Sequence, residues 1–458
     1  MKKTVIALCL AALVLAIIFW GTRKEPLLEH PIQMPQTGSV LTADAVVTED
    51  LRTVKGDVHF RTENQTGQTL SEIVLRGYAN GETPGALLVS GASFNGQEAD
   101  VKQDEDDPTV FRIPCTWQSG ETAEISWHFA LTVPKNAGTL SRDDDSALLV
   151  GAIPMPAMWE DGAWRTDLWD VLAEPSYARA FDMTFSLNLP KDVQAAMGGV
   201  LTGVEDNADG TRTWTAQMNG ARDLSFALRR DGTFRQKETE NVLISALDAD
   251  RGQAGKLLRS AEKAVKALKT LGLNPGDALT IVQADTGKTD GMIGSGLLVV
   301  SGEAEGEALD RQMIRLAARQ IFGVQVENDP WQAPWLSQSL ASAVEMLCYR
   351  NEKGEAAYEE RFYEEIEVST RLTRPHGVNV GAGVQAFRDD EEMTQVLRDQ
   401  GAAELLGIEQ AAGGDVFVRA LIRYAQDNET GSFEALARAL EEETGSNWSG
   451  YLADVLSS

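Results

Sequence analysis

Histidine and cysteine are scarce, with four of the first and three of the second in 458 residues. His30, His59, His128 and His376 are scattered, and no two lie within one helical turn, so no H-x-x-x-H pair can chelate a metal from one helix face. The same scatter leaves no Ser/His/Asp or Cys/His nucleophilic set. Outside the N-terminal apolar run the cysteines are Cys115 and Cys348, in different expected domains. Two free thiols is the expected state, and one interdomain disulfide stays open. Basic residues are outnumbered, 41 Lys+Arg against 69 Asp+Glu, for a net charge of −28. That balance excludes the basic patches nucleic acid requires, argues against attachment to anionic lipid, and reads as a soluble, self-repelling surface. There is no Walker-type loop, because Gly287-Lys288-Thr289 lacks the upstream glycine. The short acid runs Asp104–Asp107 and Asp143–Asp145 read as solvated loops before calcium sites.

One apolar run is present. After Met1-Lys2-Lys3 the chain is apolar from Thr4 to Trp20, longer than most signal-peptide cores and just long enough to span a bilayer. Its exit, Phe19-Trp20-Gly21-Thr22-Arg23, puts bulky aromatics where a signal peptidase needs small side chains. Leu8 before Cys9 speaks against lipoprotein processing. The expectation is an uncleaved signal anchor over residues 1–22. Lys2 and Lys3 favour a cytoplasmic N-terminus, although Arg23 and Lys24 weaken the asymmetry. The protein is then a single-pass cell-membrane protein with its bulk extracytoplasmic, or secreted if the segment is cleaved.

Residues 23–41 are aperiodic and read as a tether. From 42 to 235 the pattern is strand-like: Val54 to Arg61, Thr122 to Leu131 and Phe181 to Leu189 all alternate apolar and polar. Turn signals separate them at Asn64-Gln65, Asp206 to Gly210 and Gly220. An antiparallel β domain, sandwich or saddle, is predicted. Within it Trp159, Trp164 and Trp169 cluster. A carbohydrate-stacking platform is one reading, and packing in the seam between domains is the favoured one. From 236 to 458 the signal is mixed and then mostly helical. Strands are expected at Asn241 to Leu247, Leu279 to Gln283 and Leu297 to Val300. An amphipathic helix over 252–271 carries Leu257, Ala261, Ala264 and Leu268 on one stripe, and helices follow from Glu305. The fold class is α+β.

Residues 327–343 read Glu-Asn-Asp-Pro-Trp-Gln-Ala-Pro-Trp-Leu-Ser-Gln-Ser-Leu-Ala-Ser-Ala. This stretch resembles the segment of the M1 aminopeptidases, gluzincin zinc peptidases, that carries the third zinc ligand two residues after a Trp-Leu pair. The resemblance runs from about residue 42 to the end and implies a thermolysin-like second domain. It puts Gln338 at the glutamate ligand, Arg315 and Arg319 at the two histidines of H-E-x-x-H, and Leu316 at the general base. Gly291-Met292-Ile293 resembles the loop whose glutamate anchors the substrate amine, a role that falls on Ile293. Arg398-Asp399-Gln400-Gly401 resembles the segment with the oxyanion-stabilising tyrosine, which puts Arg398 at that phenol and a helix start at Gly401-Ala402.

Arginine has no lone pair to give a metal and leucine no proton chemistry. With six roles substituted, the resemblance implies a catalytically inactive relative that binds a peptide or an envelope protein, with no cofactor. The alternative is a membrane-anchored zinc aminopeptidase with weak or relocated activity. Arg311, Arg315 and Arg319 also form a helical stripe. If 315 and 319 face a cleft near Arg398, their guanidinium groups need anions. Internal carboxylates such as Glu345 or Asp329 are the first expectation. An anionic ligand or a peptide C-terminus held by Gly291, Met292, Ile293, Arg315, Arg319 and Arg398 is the second.

Overall fold

The computed structural model describes residue 27 and residues 37–458, apart from 136–137, 176, 289, 369–376, 427–429 and 458. The expected anchor and most of the tether lie outside the described residues. Among the described residues no helix is long and apolar enough to cross a membrane.

The N-terminal half is built on an eight-stranded sheet. Its strands follow from strict alternation. In Thr122–Thr132 the side chains of Ala123, Ile125, Trp127, Phe129 and Leu131 are buried, while Thr122, Glu124 and His128 face out. Two four-stranded sheets and a two-stranded one complete the domain, and Trp127, Phe181, Phe185 and Phe226 fill the core between the layers. The domain is antiparallel as expected apart from one pair, because Val40–Val47 pairs in parallel with Phe181–Pro190 and antiparallel with Thr53–Glu63. One turn expectation needs correction: Gly220 is not a turn between strands. It lies inside Thr211–Ala221 at φ +65°, where the register against Phe181–Pro190 slips by a residue. Glycine serves a bulge there.

The second half opens with a five-stranded sheet. Its first strand, Thr233–Thr239, pairs with Val242–Asp248, so a boundary at 235 falls inside a strand. The change of sheet comes earlier, at the turn where Asp231 takes a φ of 50°. Val242–Asp248, Ala278–Ala284 and Leu297–Ser301 run parallel, and the helix α1, Arg251–Thr270, makes the first crossover. Asp250 caps α1 by accepting from the Gln253 N–H, and Gly272 follows its end at φ +82°. The stripe Leu257, Ala261, Ala264 and Leu268 is fully buried.

Helix α2, Gly306–Arg319, continues as a π-helical run, Gln320–Gln325. Helix α3, Trp335–Lys353, is central to the core through Leu336, Leu340, Val344 and Leu347. Helix α4 spans Glu355–Arg361. Helix α5, Gly401–Ala412, starts at Gly401 as expected, but not from a loop. It continues a helical run from Asp390–Thr394 through π-helical Gln395–Gln400. Glycine is required at 401 by proximity, since a Cβ there would lie 2.2 Å from Ser339 Oγ on α3. Cys115 and Cys348 are both free, the second buried in α3.

Candidate functional site

Arg315 and Arg319 sit one turn apart on α2 and are both buried. A buried guanidinium must find anions, and each of these does. Arg315 donates through Nε to Asp290 at 2.8 Å, its Nη2 lies 2.6 Å from the same carboxylate, and its Nη1 lies 3.7 Å from Glu345. Glu345, on α3, accepts both arms of Arg361 at 2.8 and 2.7 Å. Arg361 also donates to Glu365 at 3.0 Å, and Glu365 accepts from Arg311. The Arg361 guanidinium stacks over Tyr349, 4.5 Å from the ring centre. The outcome is an alternating chain, Asp290–Arg315–Glu345–Arg361–Glu365–Arg311, linking a loop, two long helices and α4.

Charge placement sets the ionisation. Burial opposes the Arg315 charge, but Asp290 and Glu345 outweigh it and hold its pKa above the ordinary value. Burial likewise pushes Glu365 up, and Arg311 and Arg361 overcome it, leaving the carboxyl below its usual range.

Arg319 pairs with Glu174, from the loop that joins Ala163–Trp164 to Phe181–Pro190 in the β domain and packs against the second half. Arg319 Nε and Glu174 Oε2 are buried without a hydrogen-bond partner among the described residues. The same loop is fastened beside this pair by Lys288, whose Nζ donates to the carbonyls of Leu172 and Ala173 at 3.2 and 3.4 Å. Burial pushes the Lys288 ammonium down, with Asp390 and Glu82 opposing.

The remaining expected residues separate. Leu316 is fully buried. Met292 and Ile293 form part of a short strand, with side chains in two different core clusters. Gly291 adopts φ +69°, and a Cβ there would lie 2.5 Å from the Val299 carbonyl. Gln338 is half-buried on α3, and its backbone carbonyl accepts from Ser342. Arg398 is half-exposed and pairs with its neighbour Asp399 at 3.0 Å. Of the two carboxylates expected to meet the arginines, Glu345 does. Asp329 instead binds Arg165 at 2.8 Å, because it caps the turn at Trp331 and Gln332 and faces the domain seam. Asp290, Glu174 and Arg361 were not singled out by sequence reasoning, and Lys288 entered it only within the rejected Gly287-Lys288-Thr289 motif. Asp290 stands next to Gly291, a usable signal, whereas Glu174 and Arg361 carry none.

Of the three clustered tryptophans, Trp169 lies in the seam, 6.1 Å from Tyr78, which stacks on Trp331 at 5.2 Å. Trp159 and Trp164 meet edge to face at 5.1 Å and line a cavity of about 1140 Å³ between the domains, together with Phe60, Met218 and Gln325. None of residues 291–293, 315, 316, 319, 338 or 398 lines that cavity.

A sheet-rich first half and a second half that opens on a mixed sheet and turns mostly helical match known structures. The zinc metallopeptidase M1 of Deinococcus radiodurans superposes with a TM-score of 0.67 at 17% identity, covering 92% of this chain and 92% of that one. A two-domain mutant M1 zinc metallopeptidase bound to L-tryptophan gives 0.68 at 18% identity, over 92% and 95% of the two chains. The chain has the M1 zinc metallopeptidase fold. A mutant of the Deinococcus radiodurans enzyme bound to a Tyr-Ser-Ala substrate superposes equally well, at 0.67 and 17% identity. No protein-family model and no curated protein matches the sequence. Within the M1 fold, α2 and α3 lie side by side, so a guanidinium on one and a carboxylate on the other can meet as Arg315 and Glu345 do.

Proposed function

We propose that this chain is a non-catalytic M1-peptidase-like protein that works by binding a peptide or an envelope protein, held at the membrane by its N-terminal segment with its bulk extracytoplasmic. One observation carries the reading: the two positions that the resemblance assigns to zinc-binding histidines hold guanidinium groups locked onto Asp290, Glu345 and Glu174. Zinc does not fit this set. A catalytic site needs three N, S or carboxylate ligands with an open position. Guanidinium has no lone pair to offer, and Leu316 beside it cannot take a proton. Asp290, Glu345 and Glu174 are the carboxylates beside these positions, and all three are engaged by arginine. Among the described residues no group of three or more His, Cys, Asp or Glu side chains is placed to hold a metal ion. The cavity at the domain seam supports a binding role.

The test is the metal content of the purified ectodomain together with release of amino acids from unblocked chromogenic amides. We expect substoichiometric zinc and no turnover above a chelator-treated control. Stoichiometric zinc, or turnover abolished by chelation, would establish the aminopeptidase reading instead. Fractionation of the full chain with membranes, and its loss when residues 1–22 are deleted, checks the anchor.

A further inference from the structure

In a chain of charge −28, helix α1 carries six basic residues and one acidic residue. Two of its exposed cations, Lys263 and Lys266, are paired, with Asp310 and Glu262. Lys256 and Arg259 are exposed and have no carboxylate partner among the described residues. They stand three residues apart on one face, a spacing that puts neighbouring side chains about 5–6 Å apart at Cβ. Both line a groove of about 550 Å³ between α1, α2 and α3, with Leu309 and Ile314 also in its lining. Ser260 lines the same groove and is 2% exposed, and its buried hydroxyl has no hydrogen-bond partner among the described residues. Most acids in the lining are already engaged. Asp310 pairs with Lys263, Glu352 with Lys353 and Glu345 with Arg361, which leaves Glu307 as the lining acid without an ion pair among the described residues.

We infer that this groove binds a short acidic segment of a partner protein. A carboxylate seated between Lys256 and Arg259 accepts charge-assisted hydrogen bonds from both, and the apolar lining takes the stem of the side chain. The Ser260 hydroxyl supplies a donor that has no other partner among the described residues. The volume holds a few residues, within the range of ordinary ligand sites. A bilayer presents a flat face and cannot enter a concave groove, so charge complementarity here selects a peptide over anionic lipid. The inference holds whether or not the chain cleaves peptides.

The probe is a fluorescently labelled hexaglutamate peptide titrated with the full chain in detergent and read by anisotropy. Saturable binding that weakens with added salt is expected. The double reversal K256E/R259E should weaken it by about tenfold or more, as loss of close charge pairs at an interface does. K266E, on the same helix outside the groove, should leave it unchanged. Lys256 and Arg259 are exposed, so the variants should fold, and unchanged thermal melting checks this; K256Q/R259Q serves as the milder pair. Absence of saturable binding, an affinity indifferent to the double reversal, or preferential capture by phosphatidylserine vesicles would each overturn the inference.

Discussion

Arg319 carries a full charge in a place with 3% exposure, and its partner Glu174 comes from the other domain. Removing one member of such a pair strands the other charge, at a cost of about 3–5 kcal/mol, whereas replacing both with apolar side chains is often close to neutral. Arg319→Leu should therefore destabilise the fold by that amount in urea unfolding, and Arg319→Leu with Glu174→Leu should recover most of the loss. Equal costs for the single and double variants would mean the pair itself stabilises. Glu365 gives the pH counterpart. Its folded-state pKa is depressed by Arg311 and Arg361 against the pull of burial. Its stabilisation is complete above the unfolded value, about 4.3 for glutamate, and is lost as pH falls through the lower folded value. Glu365→Gln should lower the melting temperature at pH 7, and the gap to the parent should close progressively under acid. A gap independent of pH would contradict this.

At the scale of elements, packing of α5 on α3 turns on a single missing side chain. A Cβ at 401 would lie 2.2 Å from Ser339 Oγ and 2.8 Å from Ser339 Cβ, so Gly401→Ala should cost about 1–3 kcal/mol, the usual range for overpacking. Ser339→Gly should relieve part of it in the double variant, as measured by denaturant midpoints. The sequence made this contact visible only as a glycine within a recognisable segment. What it made plainly legible was local and periodic. The α1 stripe fixed the helix to within a residue at each end, and alternation found Thr122–Thr132. Gly220 misled because a turn and a bulge both ask for positive φ, and only the pairing register of Thr211–Ala221 tells them apart. The partners of the arginines were half legible. Burial of the 315 and 319 positions demands carboxylates, and Glu345 was within sight. Glu174 is far away in sequence and belongs to another domain, and no periodicity reports a pair formed across a seam.

At the scale of the whole molecule, two acidic halves are held together by cations lying between them. Arg222 directly follows the last residue of Thr211–Ala221 in the first half and is almost fully buried. It donates to the carbonyls of Val324, Ala178 and Gln325, and it pairs with Glu327 at 2.9 Å. Three of these four partners, Val324, Gln325 and Glu327, belong to the second half. Arg165 makes a parallel bridge to Asp329. With a net charge of −28 the halves repel one another through their surfaces, so the seam depends on such contacts as well as on apolar burial. Arg222→Met keeps the volume and removes the charge. It leaves three carbonyls without this donor and Glu327 without its ion pair, a loss of about 3–5 kcal/mol by the usual cost of breaking a buried pair. Because that loss falls on the seam rather than on either core, calorimetry should show the parent melting in one transition and Arg222→Met in two, with the first moved down. Added salt screens the repulsion between the halves, so raising ionic strength should draw the two transitions together. A variant that melts in one step at an unchanged temperature would mean that Trp331, Tyr78 and the surrounding apolar contacts hold the domains without this cation.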